Sequence, residues 1–355
     1  MFSKTQEDST TRLVQLCAGY FVFYVATGLF VKLFTAPVHG RPALMDDMSF
    51  LAYNTLGANL TCLIPAVALG WWRLPTIRPL RIGSFEVPSE LIYIIPSGIC
   101  TALVIPTTTL MYSLPISVMV AMVIMRASVI VIGRLVDEIQ IRQGILKKEV
   151  CWEENAAVVF AVIAASIELF GSQGGGFGFL KNQAAVVILS IYLMAYLIRI
   201  YIMNYFKNTR PAGAPSNNKA FFAVEQIAAS LTMALMAATV LLSPRLWPSW
   251  LHLQQVSDFV GAVQVPKSAW IWATLSGATF GIVAFFSVFI FMFKGRTATF
   301  TGLVNRLTSL VAGTTATLIG WLFLGTRFPS LQNWISLGFV LVAVAFLARA
   351  EKRRK

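Results

Sequence analysis

The chain has 355 residues, of which 57% are hydrophobic and 12% are charged, and its 28 lysines and arginines outnumber the 15 acidic residues to give a net charge of +13. A soluble domain carries about 25% charged residues, so the composition excludes an ordinary water-soluble protein and, by its apolar content, a disordered one. The four cysteines are scattered and there are only two histidines, which excludes a disulfide scaffold and a metal site built from histidines. No cofactor is expected. The class of protein that remains is a polytopic membrane protein.

Apolar runs long enough to cross a bilayer follow one another along the whole chain. A membrane-spanning helix needs about 20 such residues. The third and fourth runs are divided only at Tyr112–Pro115, where proline suits the first turn of a new helix. The predicted fold is therefore all-α, with ten transmembrane helices at about 13–35, 49–71, 90–112, 115–136, 155–172, 182–206, 220–243, 268–293, 298–323 and 331–349.

The distribution of lysine and arginine predicts the orientation of these helices. With the N-terminus in the cytoplasm, the cytoplasmic segments hold 19 of these residues and the opposite side holds 5. Both termini are therefore expected in the cytoplasm. Because the excess of basic residues reflects membrane topology, the expected partner is the lipid bilayer and not nucleic acid. The sequence does not indicate an oligomeric state. Short loops favour a bacterial inner (plasma) membrane; the basic tail 352–355 equally suits a eukaryotic membrane of the Golgi or endoplasmic reticulum.

Apart from Arg134 and Arg349 at their cytoplasmic ends, the predicted spans contain four basic residues. Lys32 and Arg199 lie near helix ends and are expected to snorkel to the interface. Arg126 and Arg306 lie deeper, where an arginine costs about 2.5–3.5 kcal/mol on insertion scales. We expect them to line a water-filled cavity and bind an anion, because guanidinium donates paired hydrogen bonds to phosphate. The alternatives are structural pairing with Glu225 or with backbone carbonyls, or snorkelling of Arg306.

A short motif recurs in the fourth and ninth predicted helices. Arg126 is followed two residues later by Ser128, and Arg306 by Thr308, and each arginine is followed seven residues later by a glycine on the same helix face. The helix numbers differ by five, an odd number, so the two copies would cross the membrane in opposite senses. The pattern predicts an inverted-topology repeat of five helices.

Such a repeat divides the chain into an N-terminal half, 1–172, and a C-terminal half, 173–355. The two halves would form one integral membrane domain, without a separate soluble domain and with the substrate held near the bilayer midplane. The second of the two longest connections, 137–154 and 244–267, is expected to form an interfacial belt or lid from its aromatic and apolar residues, namely Trp247, Pro248, Trp250, Leu251 and Trp270.

An acidic residue and an amide occur together in the seventh predicted helix, at Glu225 and Gln226. Glu225 is a candidate for a proton-coupling carboxylate, a counter-ion of the empty site or a hydrogen-bond acceptor for substrate. Because Glu225 lies near the end of the predicted helix, the alternative is that it is solvated at the membrane interface and has no role in the site.

The ten helices in two inverted fives resemble the drug/metabolite transporter superfamily. The stretch Gly302–Arg306 is similar to the Gly-Ala-Leu-Asn-Lys motif of nucleotide-sugar transporters, which contacts substrate. The resemblance implies that Gly302, Asn305 and Arg306 bind substrate. The stretch Met125–Ile130 is similar to the Leu-Arg-Gly-Ser/Ala-Val-Ile motif of nucleotide-sugar-transporter-like solute carriers.

The predicted function is secondary-active transport of an anionic metabolite by alternating access. A nucleotide sugar or a related phosphorylated solute is the favoured substrate, moved by exchange or ion coupling because no ATP-hydrolysing motif is present. The alternative is an exporter of amino acids or other small amphipathic molecules, with structural arginines. An enzyme is not expected, because the acidic pairs near apolar segments have no histidine partner. The predicted substrate-binding residues are Arg126, Ser128, Glu225, Gln226, Gly302, Asn305, Arg306 and Thr308.

Overall fold

The structure is a computed structural model that describes residues 9–38, 40–74, 79–82, 85–113, 118–147, 150–170, 183–210, 217–246, 249, 252–325, 328 and 331–353. Its long helices are α1 (Thr10–Thr35), α2 (Asp47–Ala68), α3 (Leu91–Ser113), α4 (Val118–Arg142), α5 (Trp152–Phe170), α6 (Gln183–Thr209), α7 (Asn218–Leu246), α9 (Trp270–Phe291), α10 (Ala298–Leu324) and α11 (Leu331–Arg353). The short helix α8 (Gln254–Gln264) and a hairpin of β1 (Pro79–Ile82) and β2 (Phe85–Pro88) complete the described elements.

The described part of the chain contains eight helices that are long and apolar enough to cross a membrane: α1, α2, α3, α6, α7, α9, α10 and α11. The described part of α5 is shorter than a span, and that of α4 carries charges at Arg126, Arg134 and Asp137 among others. The all-α fold and the multi-pass membrane character predicted from composition are confirmed at this level.

The structure extends the fourth predicted helix and adds a small hairpin. The helix α4 continues past residue 136 to Arg142, because Glu138 pairs with Arg134 and Arg142 one turn to either side. The β1–β2 hairpin was not predicted, since four-residue strands are too short to show a clear period. The break at residues 114–117 between α3 and α4 lies outside the described residues.

The predicted belt or lid contains α8, which is fastened to α2. The hydroxyl of Tyr53 donates to the Ala262 carbonyl at 2.6 Å and accepts from the Lys267 N–H at 3.2 Å. Trp270 lies 6.5 Å from the Tyr53 ring, centroid to centroid. The other aromatic and apolar residues predicted for this segment, Trp247, Pro248, Trp250 and Leu251, lie outside the described residues.

The helices pack in a set of long pairwise contacts around two large apolar clusters and two smaller ones. The extensive pairs are α2 with α9, α5 with α11, α3 with α6 and α7, α1 with α9 and α10, and α4 with α6 and α10. The first helix and the last meet at one end of the bundle, where the Thr10 hydroxyl donates to Glu351 at 2.8 Å. We call this the terminal end.

Glycines allow the backbones of α2 and α9 to touch. A Cβ at Gly57 would collide with the Thr274 carbonyl, and a Cβ at Gly277 would collide with the Asn54 carbonyl. Small residues at such positions let membrane helices approach closely, so that dispersion contacts hold the pair together.

Substituting Gly277 with alanine should therefore destabilise the protein. We expect a loss of about 1–3 kcal/mol or more, because the methyl group has no space and α9 must move away from α2. The measurement is the apparent melting temperature in detergent. Gly338→Ala in α11 is the matched control, since a Cβ there meets nothing within 4 Å. Equal melting temperatures for the two variants would contradict the close-contact interpretation.

Candidate substrate site

Arg126 reaches from α4 to α1 and lies beside α10. Its Nη2 donates to the Tyr24 hydroxyl at 2.9 Å, and its guanidinium carbon lies 5.8 Å from the centroid of the same ring. A Cβ at Gly313 of α10 would lie 3.8 Å from Arg126 Nη1. Arg126 thus occupies the region between α1, α4 and α10, where it is half-buried.

Arg306 lies about two turns into α10 and is surrounded by aromatic rings. Its guanidinium carbon is 4.9 Å from the centroid of the Tyr196 ring in α6, and Tyr20 and Tyr192 lie close enough to interact with it electrostatically. Its buried Nε has no hydrogen-bond partner. Within the described part of the chain, no carboxylate forms an ion pair with Arg306.

Tyrosines lie beside both arginines, and we call four of them the tyrosine cluster: Tyr20, Tyr24, Tyr192 and Tyr196. Tyr24 contacts Arg126, Tyr192 and Tyr196 interact with Arg306, and Tyr20 interacts electrostatically with both arginines. The ring centroids of Tyr20 and Tyr24 are 5.4 Å apart, and those of Tyr192 and Tyr196 are 4.8 Å apart. Gly313, beside Arg126, follows Arg306 by seven residues, a rise of about 10 Å along α10. The structure therefore places Arg126 and Arg306 near one shared tyrosine, Tyr20.

Glu225 lies in a buried ion pair with Arg199. Its carboxylate is 0% exposed and accepts from Arg199 Nε at 2.9 Å and from Arg199 Nη2 at 3.1 Å. The hydroxyls of Ser97 and Thr101 donate to the same carboxylate at 2.6 and 3.2 Å. The Glu225 carboxylate thus accepts four hydrogen bonds, two of them from the bidentate Arg199, and the charges of the two residues cancel.

This pair corrects two expectations. The prediction that Arg199 snorkels to the interface is wrong, because α6 turns Arg199 towards α7, where Glu225 offers a partner inside the bundle. The alternative that Glu225 pairs with Arg126 or Arg306 is wrong for the same reason. Lys32, the other residue expected to snorkel, is half-buried and donates to Thr317 at 3.3 Å.

Tyr196 interacts electrostatically with both Arg199 and Arg306. The same tyrosine therefore lies near one arginine whose charge is cancelled by a carboxylate and near another that forms no ion pair with a described residue.

The remaining predicted site residues lie on the same helices. Asn305 Nδ2 donates to the Ser287 hydroxyl at 3.0 Å, while its buried Oδ1 has no hydrogen-bond partner. Thr308 donates to the Val304 carbonyl at 2.7 Å and is hydrogen-bonded to Cys17 of α1. Gly302 and Gln226 are buried, and Ser128 is half-buried two residues after Arg126. Their role in substrate binding stays a prediction.

The tyrosine cluster is not among the residues predicted from sequence, although a signal exists. Tyr20 and Tyr24 in the first predicted helix have the same four-residue spacing as Tyr192 and Tyr196 in the sixth. Helices one and six occupy equivalent places in a five-plus-five repeat, so a search for paired tyrosines would have found the cluster.

Carboxylates at the terminal end anchor the helix that carries Arg306. Asp137 of α4 accepts the backbone N–H groups of Ala298 and Thr299 at 2.7 and 2.6 Å, and it is fully buried. Glu154 of α5 accepts from the hydroxyl of Thr297, the N-cap residue of α10, at 2.7 Å. Both acids lie at the positive end of the α10 dipole, so they fix the first turn of α10 against α4 and α5.

Replacing Asp137 with asparagine should weaken this anchor. Asparagine can accept one N–H bond but presents an NH2 group to the second, so we expect a loss of about 1–3 kcal/mol in stability. The melting temperature in detergent measures the effect. Glu138→Gln is the neighbouring control, because Glu138 makes only exposed pairs along α4. If both variants melt like the unmodified protein, the buried cap contributes nothing.

Comparison with known proteins supports the fold. No family model matches the chain, and no curated protein matches it. Solved structures do match: one described as "Crystal structure of protein" has a TM-score of 0.53 and 14% sequence identity, over 98% of this chain and 100% of that one. At this identity the likeness shows a shared fold.

Proposed function

We propose that the chain is a secondary-active transporter that moves an anionic metabolite by alternating access. The favoured substrate is a nucleotide sugar or a related phosphorylated solute, carried by exchange or ion coupling. The observation that supports this proposal best is the environment of Arg306, whose guanidinium lies among tyrosines within an apolar bundle and makes no ion pair with a described acid.

The balance of charge at the site favours an anionic ligand. The buried pair of Arg199 and Glu225 has no net charge, so Arg306 adds a positive charge to the centre of the bundle. Burying an ion without a counter-charge is costly, and a bound anion removes that cost. A phosphate group suits guanidinium, because it accepts two parallel charge-assisted hydrogen bonds.

The packing of the helices supports an inverted repeat of five plus five helices, with α4 and α5 as spans and α8 outside the count. In such a repeat, α1 to α5 correspond to α6, α7, α9, α10 and α11, and each of the extensive contacts has a counterpart or joins two corresponding helices. The contact of α1 with α10 corresponds to that of α6 with α4, and α2 with α9 corresponds to α7 with α3. The contacts of α4 with α10 and of α5 with α11 pair corresponding helices. The halves would be 1–172 and 173–355.

The contacts of the two arginines follow the same relation. Arg126 of α4 contacts Tyr24 of α1, and Arg306 of α10 contacts Tyr196 of α6. Corresponding residues from the two halves would therefore meet at the midplane, where a single site can open to either side. With the termini at one end of the bundle, the positive-inside pattern supports a cytoplasmic terminal end.

Uptake into proteoliposomes tests the proposal. Labelled nucleotide sugars, nucleotides and amino acids would be offered to vesicles with and without preloaded nucleoside monophosphate. We expect uptake of a phosphorylated solute, accelerated by preloading if the mechanism is exchange. Uptake restricted to amino acids or uncharged amphipathic molecules would instead establish the exporter alternative.

A further inference from the structure

The cation of Arg306 is held by an aromatic ring where proteins more often place a carboxylate. We propose that Tyr196 is a positioning residue that stabilises Arg306 without neutralising it. The inference rests on the proposed function and adds a basis for selectivity: this tyrosine makes the site prefer anions to zwitterions and neutral solutes.

The physical basis is the difference between a ring and a carboxylate as a partner for guanidinium. The negative face of a tyrosine ring attracts a cation, and the attraction grows when both groups are desolvated. The ring carries no net charge, so the field of Arg306 still reaches a ligand. A carboxylate in the same place would cancel that field, as Glu225 cancels that of Arg199.

Arg126 of α4 also has a tyrosine neighbour. Its Nη2 donates to the Tyr24 hydroxyl at 2.9 Å, and its guanidinium carbon lies 5.8 Å from the centroid of that ring. Arg306 is likewise hydrogen-bonded to Tyr196 and lies 4.9 Å from the centroid of its ring. Each contact joins two different helices, and each tyrosine is the second of a pair spaced by four residues. A tyrosine beside an arginine is therefore a feature of both halves of the chain.

An anion that enters the site keeps the full attraction of the guanidinium. The buried Nε of Arg306 has no hydrogen-bond partner, so the binding of an anion need not break an existing bond at that atom. A zwitterion gains less, because its own cation is repelled by Arg306. Tyr196 would therefore determine whether the site prefers anions, while Arg306 would make the direct contact with the solute.

Substitutions of Tyr196 that differ only in charge test the proposal. Tyr196→Glu and Tyr196→Gln remove the same ring and place side chains of the same size beside Arg306. The probes are uridine diphosphate and inorganic pyrophosphate, titrated against the purified full chain in detergent with thermal stabilisation as the readout. We expect Tyr196→Gln to weaken binding a few-fold and Tyr196→Glu to weaken it by at least about tenfold more, because the carboxylate neutralises Arg306. Tyr196→Phe keeps the uncharged ring but loses the hydroxyl that is hydrogen-bonded to Arg306, so it should bind within a few-fold of the unmodified protein.

Tyr205, on the same helix near the terminal end, provides the matched control. Its ring contacts Tyr93 and Tyr201, away from Arg306. Tyr205→Glu and Tyr205→Gln should bind both probes alike. If Tyr196→Glu does not fold, Tyr24→Glu and Tyr24→Gln make the same comparison at Arg126.

The outcomes separate this inference from the proposed function. Equal affinities of the Glu and Gln variants, with the unmodified protein still binding the probes, would overturn the role of Tyr196 and leave anion transport standing. If neither probe nor any labelled anion binds or is transported by the unmodified protein, both proposals fail.

Discussion

Transport of the anionic substrate should be nearly lost when Arg306 is replaced by glutamine. Removing one partner of a desolvated charged contact costs about 2–5 kcal/mol, which corresponds to a reduction of roughly 30-fold to several thousand-fold in apparent affinity. Glutamine keeps a polar side chain on α10 but supplies neither the positive charge nor the paired donors. Initial uptake rates in proteoliposomes, measured over a range of substrate concentrations, would show the effect.

Two further variants make this result specific to the guanidinium. Arg306→Lys keeps the charge but loses the planar fork, so we expect partial activity, in keeping with the lysine of the motif that Gly302–Arg306 resembles. Arg12→Gln removes an exposed arginine near the start of α1 and should transport normally. Unchanged uptake by Arg306→Gln would refute an anion site built on Arg306.

Replacing Arg199 with methionine should give the largest loss of stability. The substitution leaves the carboxylate of Glu225 buried without its cation, and breaking a buried ion pair in this way costs about 3–5 kcal/mol. The loss of stability would be measured by thermal unfolding in detergent, with the fraction of protein that stays monodisperse as the readout. Anion binding by the surviving protein should weaken, because the unpaired carboxylate of Glu225 would offset the positive charge of Arg306, which lies within electrostatic range of this pair.

A double variant separates loss of the pair from loss of packing. Arg199→Met combined with Glu225→Gln removes both charges, so most of the stability should return, since apolar or neutral replacements of a buried pair are often well tolerated. Arg81→Met is the control for an exposed pair, because Arg81 and Glu86 are 82% and 58% exposed in their side chains and should contribute little. A double variant as unstable as Arg199→Met would mean that packing, and not charge, determines stability here.

The sequence alone determined where the helices lie along the chain and which basic side chains are costly to place inside the membrane. A bilayer leaves no water to satisfy the backbone, so each long apolar run must become a helix, and the observed α1, α2, α6, α7, α9 and α10 follow their predicted ranges within a few residues. The same physics identified Arg126 and Arg306, because a charge deep in an apolar run is too costly to be incidental.

Only the tertiary structure decided which groups meet those cations. The pattern of a helix tells which residues share its face but not which neighbouring helix that face will contact. Thus Arg199 and Glu225, on consecutive helices, form a buried pair that their places near helix ends did not suggest. Tyr196 completes the environment of Arg306 although no charge marks it in the sequence. The difference between a neutralised arginine and an available one is set by these contacts, because electrostatic energy in a low-dielectric interior depends on the nearest few ångströms.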